Sequence, residues 1–537
     1  MRPDREPLAD RIGGSYDFVI CGGGTAGCVL ARRLCDTGAS VLLLEAGGSD
    51  RVPAVLDTTL WMSNIGSERD WGHSAEPAAS LAGRAVRLPM GKVLGGGSSI
   101  NGSVWARGHQ VDYDGWAQVT GDDGWSYAAM LALYREIEDW QGPPDPLRRG
   151  QGGLLRVQRA EDPVPLVPAL LASATALGVP AVDDINGAAM EGEGACGLAN
   201  VLVNDGNERV SMAASYLRPV LGRPNLHVLL CAEVLRLQLD GRRATGVEFL
   251  LRGRVHSVQA ACEVIVCAGA INTPKLLMLS GIGDPAELAA AGVALRHALP
   301  GVGRNFQDHI LLAGCCWAYQ VPEPPRNNAA EFVLFAKSRP ELPGPDLMPV
   351  LEEAPFVSAD AAHGHDIPEG AASAWTLAPG LAQPTSRGRV RLASADPRAA
   401  PRIEANFLST DEDLQALLHC IRLCREIGNA PGTAPFRARE VCPGPLAGDA
   451  LVAFARRAAG TYFHQSCTAK MGSDDLSVVD GRLRVHGLDG LRIADASVMP
   501  RVTTGNTMAP TVLIAERAAR LLRAAHGLAE NGGRRTA

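Results

Sequence analysis

The run YDFVIC, Tyr16 to Cys21, is almost continuously apolar, which suits a parallel strand buried on both faces. Glycines follow at 22, 24 and 27. The segment from Cys28 to Cys35 then carries apolar residues at helical spacing until Asp36–Gly38 breaks it. Val41 to Leu44 reads as a second buried strand, ending on Glu45. Further along, EVIVCAG at 263–269 is another buried strand. Asn272–Pro274 is predicted to open a helix, with the proline in its first turn. CAEVLRLQLDG, around Val234, reads as a strand entering a hairpin. LRIAD at 491–495 is a strand ending in an acid, and Pro510 to Ala519 begins a closing helix.

The first of these units has a specific chemistry. Gly22, Gly24 and Gly27 form GxGxxG. The first glycine permits a tight turn, the second lets the backbone approach a pyrophosphate, and the third allows close helix–strand packing. The helix N-terminus offers free N–H groups and a positive dipole end to phosphates. Glu45, about 20 residues on, can accept a hydrogen bond from a ribose hydroxyl. The pattern predicts dinucleotide binding and leaves FAD and NAD both open.

Composition adds limits. The chain has 537 residues, enough for two or more structural units. With 46% hydrophobic and 20% charged residues it reads as an ordinary soluble globular protein. A net charge of -7 gives no basic surface for nucleic acid. No apolar run reaches the roughly 20 residues of a membrane span. The N-terminal MRPDREPLADRIGGSYDF lacks the apolar core of a signal peptide. The 13 cysteines are scattered and form no paired CxxC motif, so they are expected to be reduced, mostly buried thiols of a cytoplasmic protein rather than a zinc site. Cys315–Cys316 is an adjacent pair and a candidate for redox chemistry.

Five further segments carry a resemblance. Residues 90–127, MGKVLGGGSSINGSVWARGHQVDYDGWAQVTGDDGWSY, and 269–283, GAINTPKLLMLSGIG, closely resemble the glucose–methanol–choline (GMC) oxidoreductases, which bind FAD. PGVGRNFQDH at 300–309, SRGRVRLASADP at 386–397 and LRIADASVMPRVTTGNTMAPTVLIAERAA at 491–519 extend the likeness almost end to end. It implies a Rossmann-like α/β FAD domain built from 1–155, 196–310 and 461–537. A smaller α+β substrate domain with an antiparallel sheet would come from 156–195 and 311–460. The implied FAD contacts are Gly22, Gly24, Thr25, Ala26, Gly27, Glu45 and Ala46 at the fingerprint. The Gly/Ser loop adds Val93, Gly96, Ser98, Asn101, Gly102 and Val104. Val234 is implied at the adenine through its backbone, with Ala268 and Gly269 nearby. Asp495 and Ala496 are implied beside the ribityl-pyrophosphate, and Asn506, Thr507 and Met508 at the closing helix.

The resemblance also singles out GTYFHQSCTAKMG at 460–472. There it implies that His464 faces flavin N5 as the general base toward an alcohol. Asn506, 42 positions on, is the implied partner. The residue types suit that chemistry. An imidazole with an ordinary pKa of about 6.5 takes up a proton near neutral pH. A carboxamide does not titrate and orients the substrate oxygen. Ile100 stands where some relatives attach FAD through a histidine, so FAD is expected to be non-covalent. Gly102 stands where choline-oxidising relatives carry a serine, which argues against a choline-specific site. No aromatic-plus-carboxylate cluster for a trimethylammonium group is evident.

The expected activity is oxidation of a primary aliphatic or aryl alcohol to the aldehyde, with dioxygen or a quinone as electron acceptor. A hydroxynitrile lyase of the same fold is the alternative. Trp105, Tyr462 and Phe463 are candidate pocket residues, as are Trp317, Phe332, Phe335, Met348 and Trp375. The polar stretch 358–372 reads as a mobile lid or an inert surface loop. His363 and His365 lack a third ligand for a metal.

Overall fold

The computed structural model describes residues 14–529. Most of the segment expected to lack a signal core, residues 1–13, therefore lies outside the described residues. Strand β1 (Ser15–Cys21), helix α1 (Thr25–Cys35) and β2 (Val41–Leu44) form the opening unit. The helix begins three residues earlier than the apolar spacing suggests, because the small Thr25–Gly27 turn is itself helical. The main sheet continues through β3 (Leu226–Leu229), β4 (Ala232–Asp240), β5 (Arg243–Leu251), β6 (Arg254–Val266) and β7 (Leu491–Ile493).

These seven strands run in the order β4-β5-β6-β1-β2-β3, with β7 added beside β6. The 13-residue β6 does two jobs. Its first half pairs antiparallel with β5, and its second half lies parallel to β1 and β7. The parallel part is buried on both faces: Phe18 to Cys21 and Val41 to Leu44 are all solvent-excluded, which is why they read as unbroken apolar runs. Helix α2 (Gly269–Leu279) starts at Gly269, ahead of the expected Asn272–Pro274, so Pro274 sits inside its second turn. Helix α3 (Met508–His526) closes the chain against α1. Glu516 on α3 takes Arg33 of α1 at 2.8 Å and the Tyr216 hydroxyl at 2.8 Å.

A six-stranded antiparallel sheet forms the second layer. Its order is 437–442, 316–319, 374–378, 350–352, 332–335 and 195–198. Period-2 alternation gives its two faces different surroundings. Phe332, Leu334 and Leu351 pack in one core with the amphipathic helix Asp411–Gly428. Val333, Phe335 and Val350 point to the opposite face, in a cluster that includes Leu311 and Tyr462. Within 358–372 the chain makes a short helix, Ala359–Ala362, capped by Ser358, so this stretch is partly structured. Cys315 and Cys316 are buried free thiols, and burial pushes both up.

Candidate active site

One large cavity runs from the end of β1 and β2 to the second sheet. At its inner end the fingerprint closes tightly. A Cβ on Gly27 would lie 1.9 Å from the Gly22 carbonyl oxygen, so only glycine lets α1 pack on this turn. A Cβ on Gly96 would lie 2.7 Å from the Cα of Gly24, which is how the Gly/Ser loop reaches the fingerprint. Glu45 accepts the Gly23 N–H at 2.8 Å and the Gly47 N–H at 2.7 Å, and burial pushes its carboxyl up to about 7.

The Gly/Ser loop is held by one buried cation. Arg209 donates to the Asn101 carbonyl at 2.6 Å, Asn101 Oδ1 at 2.8 Å, Ser103 Oγ at 2.8 Å and the Val55 carbonyl at 2.8 Å. Burial pulls its guanidinium down to about 9, against a smaller upward pull from the Asp57 carboxylate. On the far wall, Asp495 accepts the Gly269 N–H, the Thr273 hydroxyl and the Ser497 N–H, fixing the start of α2.

His464 follows the strand Ala459–Thr461, which pairs antiparallel with Ile310–Leu312. The pairing continues past the strand ends. Tyr462 N–H donates to the His309 carbonyl at 3.0 Å, and Ser466 N–H to the Gln307 carbonyl at 2.8 Å. This clamps the loop, where Phe463 adopts a left-handed φ of 66° that an ordinary side chain avoids. Asp308 accepts the His464 backbone N–H at 2.9 Å, and burial pushes that carboxyl up to about 7. The Tyr462 ring stacks on the His464 ring, with centroids 4.9 Å apart.

Both nitrogens of His464 have partners. Nε2 lies 3.2 Å from Asn506 Nδ2, and Nδ1 lies 2.9 Å from His309 Nδ1. With the Asn506 amide nitrogen turned toward it, Nε2 is the accepting nitrogen, and in that tautomer the ring proton sits on Nδ1, toward His309. Burial holds both imidazoles neutral, His309 at about 3 and His464 well below its ordinary value. The result is an uncharged base at the cavity wall, its Nε2 lone pair met by the Asn506 amide.

The structure brings most of the expected residues to this cavity. Gly22, Gly24, Thr25, Ala26, Glu45 and Ala46 border it, as do Gly96, Ser98, Asn101, Gly102 and Val104. So do Val234, Ala268, Gly269, Asp495, Ala496, Asn506, Thr507, Met508, Tyr462, Phe463 and His464. Four do not. Gly27 packs α1 onto the turn and does not border the cavity, and Val93 is buried, where it bridges to Gly48. Trp105 is a correction: it is fully buried with Nε1 donating to Glu138 at 2.7 Å, while Val104 before it faces the cavity. Trp375 is another: it stacks on Trp317 at 4.5 Å in the helix-side core. Trp317, Phe332, Phe335 and Met348 likewise stay out of the cavity lining.

Sequence reasoning missed Trp61, Ile65, Leu311, Val333, Val350 and Glu352, which do line it. It also missed His309, although the PGVGRNFQDH motif ends on it. No aromatic-plus-carboxylate cluster is evident in the sequence; Trp61, Tyr462, Phe463 and Glu352 all border this cavity.

A GMC oxidoreductase family model matches residues 16–311, and a second, of the family's C-terminal part, matches residues 384–515. The chain belongs to the GMC oxidoreductases. It is 37% identical to the oxygen-dependent choline dehydrogenase of Photobacterium profundum, over 94% of this chain and 92% of that one. It is also 37% identical to the mitochondrial choline dehydrogenase of Mus musculus, over 95% and 89% of the two chains. The crystal structure of pyridoxine 4-oxidase from Mesorbium loti superposes with a TM-score of 0.89 at 34% identity, covering 94% of this chain and 98% of that one. As a GMC oxidoreductase the chain is an FAD-dependent enzyme that oxidises alcohol groups.

The cavity fits that cofactor. Helices α1 and α3 both present N-termini to it with no side-chain cap, leaving N–H groups free for phosphate and for the polar ring edge. No described helix is long and apolar enough to cross a membrane.

Proposed function

We propose that the enzyme oxidises a primary aliphatic or aryl alcohol to the aldehyde, with His464 as the general base. The observation that carries this is the pair of contacts on His464: a bare Nε2 beside the Asn506 amide, and an Nδ1–H held by His309. An alcohol that displaces the Asn506 amide from Nε2 accepts an Asn506 N–H on its oxygen and gives its own proton to Nε2, so the amide fixes its direction. Bound FAD supplies the hydride acceptor. His309 is a positioning residue, because it sets which nitrogen of the base is bare. Asp308 and the 307–309/462–466 pairing hold the base loop in place.

The fingerprint glycines, Glu45, the 96–104 loop, Val234, Asp495 and the α3 N-terminus are the proposed FAD contacts. Ile100 has no nucleophile to offer, in line with non-covalent FAD. The residues of the main sheet and its helices form the proposed FAD domain, and the antiparallel sheet the substrate domain. Electrons leave to dioxygen or to a quinone.

The test is an anaerobic visible titration with a panel of alcohols. Bleaching of the flavin band supports the reading, and the speed at which colour returns in air separates the two acceptors. A yellow protein that no alcohol reduces refutes it.

A further inference from the structure

Glu352 is the one cavity-lining residue of the second sheet that carries charge chemistry. It ends the strand Val350–Glu352, which pairs through Val350 with Val333 on one side and through Glu352 with Thr376 on the other. The strand's alternation decides its direction. Leu351 packs into the helix-side core, while Val350 and Glu352 border the cavity. The part of the cavity wall that the second sheet and the base loop supply is otherwise largely apolar or aromatic, with Val333, Val350, Leu311, Tyr462 and Phe463.

Among the described residues its carboxyl has no hydrogen bond and no ion pair. Its only perturbation is burial, which pushes the group up to about 8. It lies close enough to Tyr462 to raise that phenol further, and the Tyr462 ring is the one stacked on His464. Glu352 and the base therefore line the same cavity, each beside Tyr462.

A carboxyl on an apolar wall with no partner is costly, and proteins keep such a group where a ligand completes it. We propose that Glu352 determines substrate specificity, selecting alcohols that carry a basic nitrogen able to share a proton with its carboxyl. This rests on the alcohol-oxidation reading above. The group can donate its one proton to a nitrogen lone pair, or accept an N–H as a carboxylate. Both arrangements satisfy it. A saturated hydrocarbon tail leaves it unpaired, and a quaternary nitrogen has neither lone pair nor N–H.

The experiment compares flavin-reduction kinetics for matched pairs: 3-(aminomethyl)benzyl alcohol with 3-ethylbenzyl alcohol, 3- and 4-pyridinemethanol with benzyl alcohol, and choline with 3,3-dimethylbutan-1-ol. Wild type, Glu352→Gln and Glu352→Leu are run together, with the bound-flavin spectrum as the check on folding. The wild type should favour the nitrogen member of at least one amine or pyridine pair by about 10- to 100-fold in kcat/KM. Glu352→Leu should abolish that preference while keeping turnover of the carbon member. Preference for the carbon members throughout, a preference confined to choline, or one that survives in Glu352→Leu overturns the proposal and leaves alcohol oxidation standing. Failure of every pair to reduce the flavin overturns both.

Discussion

Replacing His309 with phenylalanine tests the reading of the base at its least obvious point. The imidazole of His309 accepts the Nδ1 proton of His464 at 2.9 Å in a fully buried setting. Phenylalanine keeps most of the volume but offers no acceptor. The stranded N–H costs about 1–3 kcal/mol. At about 1.4 kcal/mol per tenfold, the productive tautomer loses roughly 5- to 150-fold in population. The limiting rate of anaerobic flavin reduction should fall by that factor while substrate affinity changes little. Asparagine at 309 can present its amide oxygen near the lost Nδ1, and should recover most of the rate. Equal losses in both variants would mean that His309 only fills space. Wild-type reduction in the phenylalanine variant would sink the tautomer argument outright.

Other outcomes follow from the same geometry. His464→Ala should retain bound yellow flavin but lose about 10²- to 10⁴-fold or more in flavin reduction, measured by stopped flow. Burial lowers the His464 pKa, so the base stays neutral as pH falls past 6.5; the acid limb of kcat/KM should lie below that of an ordinary histidine. A limb at or above 6.5 would contradict the assignment. Glu45→Ala should weaken FAD retention by about 10- to 100-fold, read by ultrafiltration, because two backbone N–H groups and the proposed ribose contact lose their acceptor. Gly27→Ala should yield colourless or insoluble protein, since its methyl would overlap the Gly22 carbonyl.

The fingerprint was legible because its constraints are local. A buried parallel strand has one sequence pattern, and Gly27 can be nothing else where α1 meets the turn. His464 and Asn506 were legible through motif likeness, not through any periodicity around them. The substrate face was not. Trp375 and Phe332 are large and apolar, as pocket residues often are, but which face a strand residue occupies depends on register, and a one-residue shift exchanges the faces. Glu352 was hidden for the same reason. His309 was hidden because its function is a long-range contact with residue 464, which nothing in the linear chain announces. Trp105 misled because an indole beside the flavin loop has two neighbours to face, and Glu138 claimed its N–H.

The alternation of the antiparallel sheet has an evolutionary consequence. Along 332–335 and 350–352, neighbouring residues meet different demands: Phe332, Leu334 and Leu351 serve the helix-side core alone, while Val333 and Val350 pack in the smaller cluster and, with Glu352, also border the cavity. Mutational drift on the second set can explore new substrates while the first set holds the architecture constant. A directed library that varies Glu352 freely and holds Val333 and Val350 to apolar residues of similar size should therefore yield mostly folded, flavin-loaded variants that differ in what they oxidise.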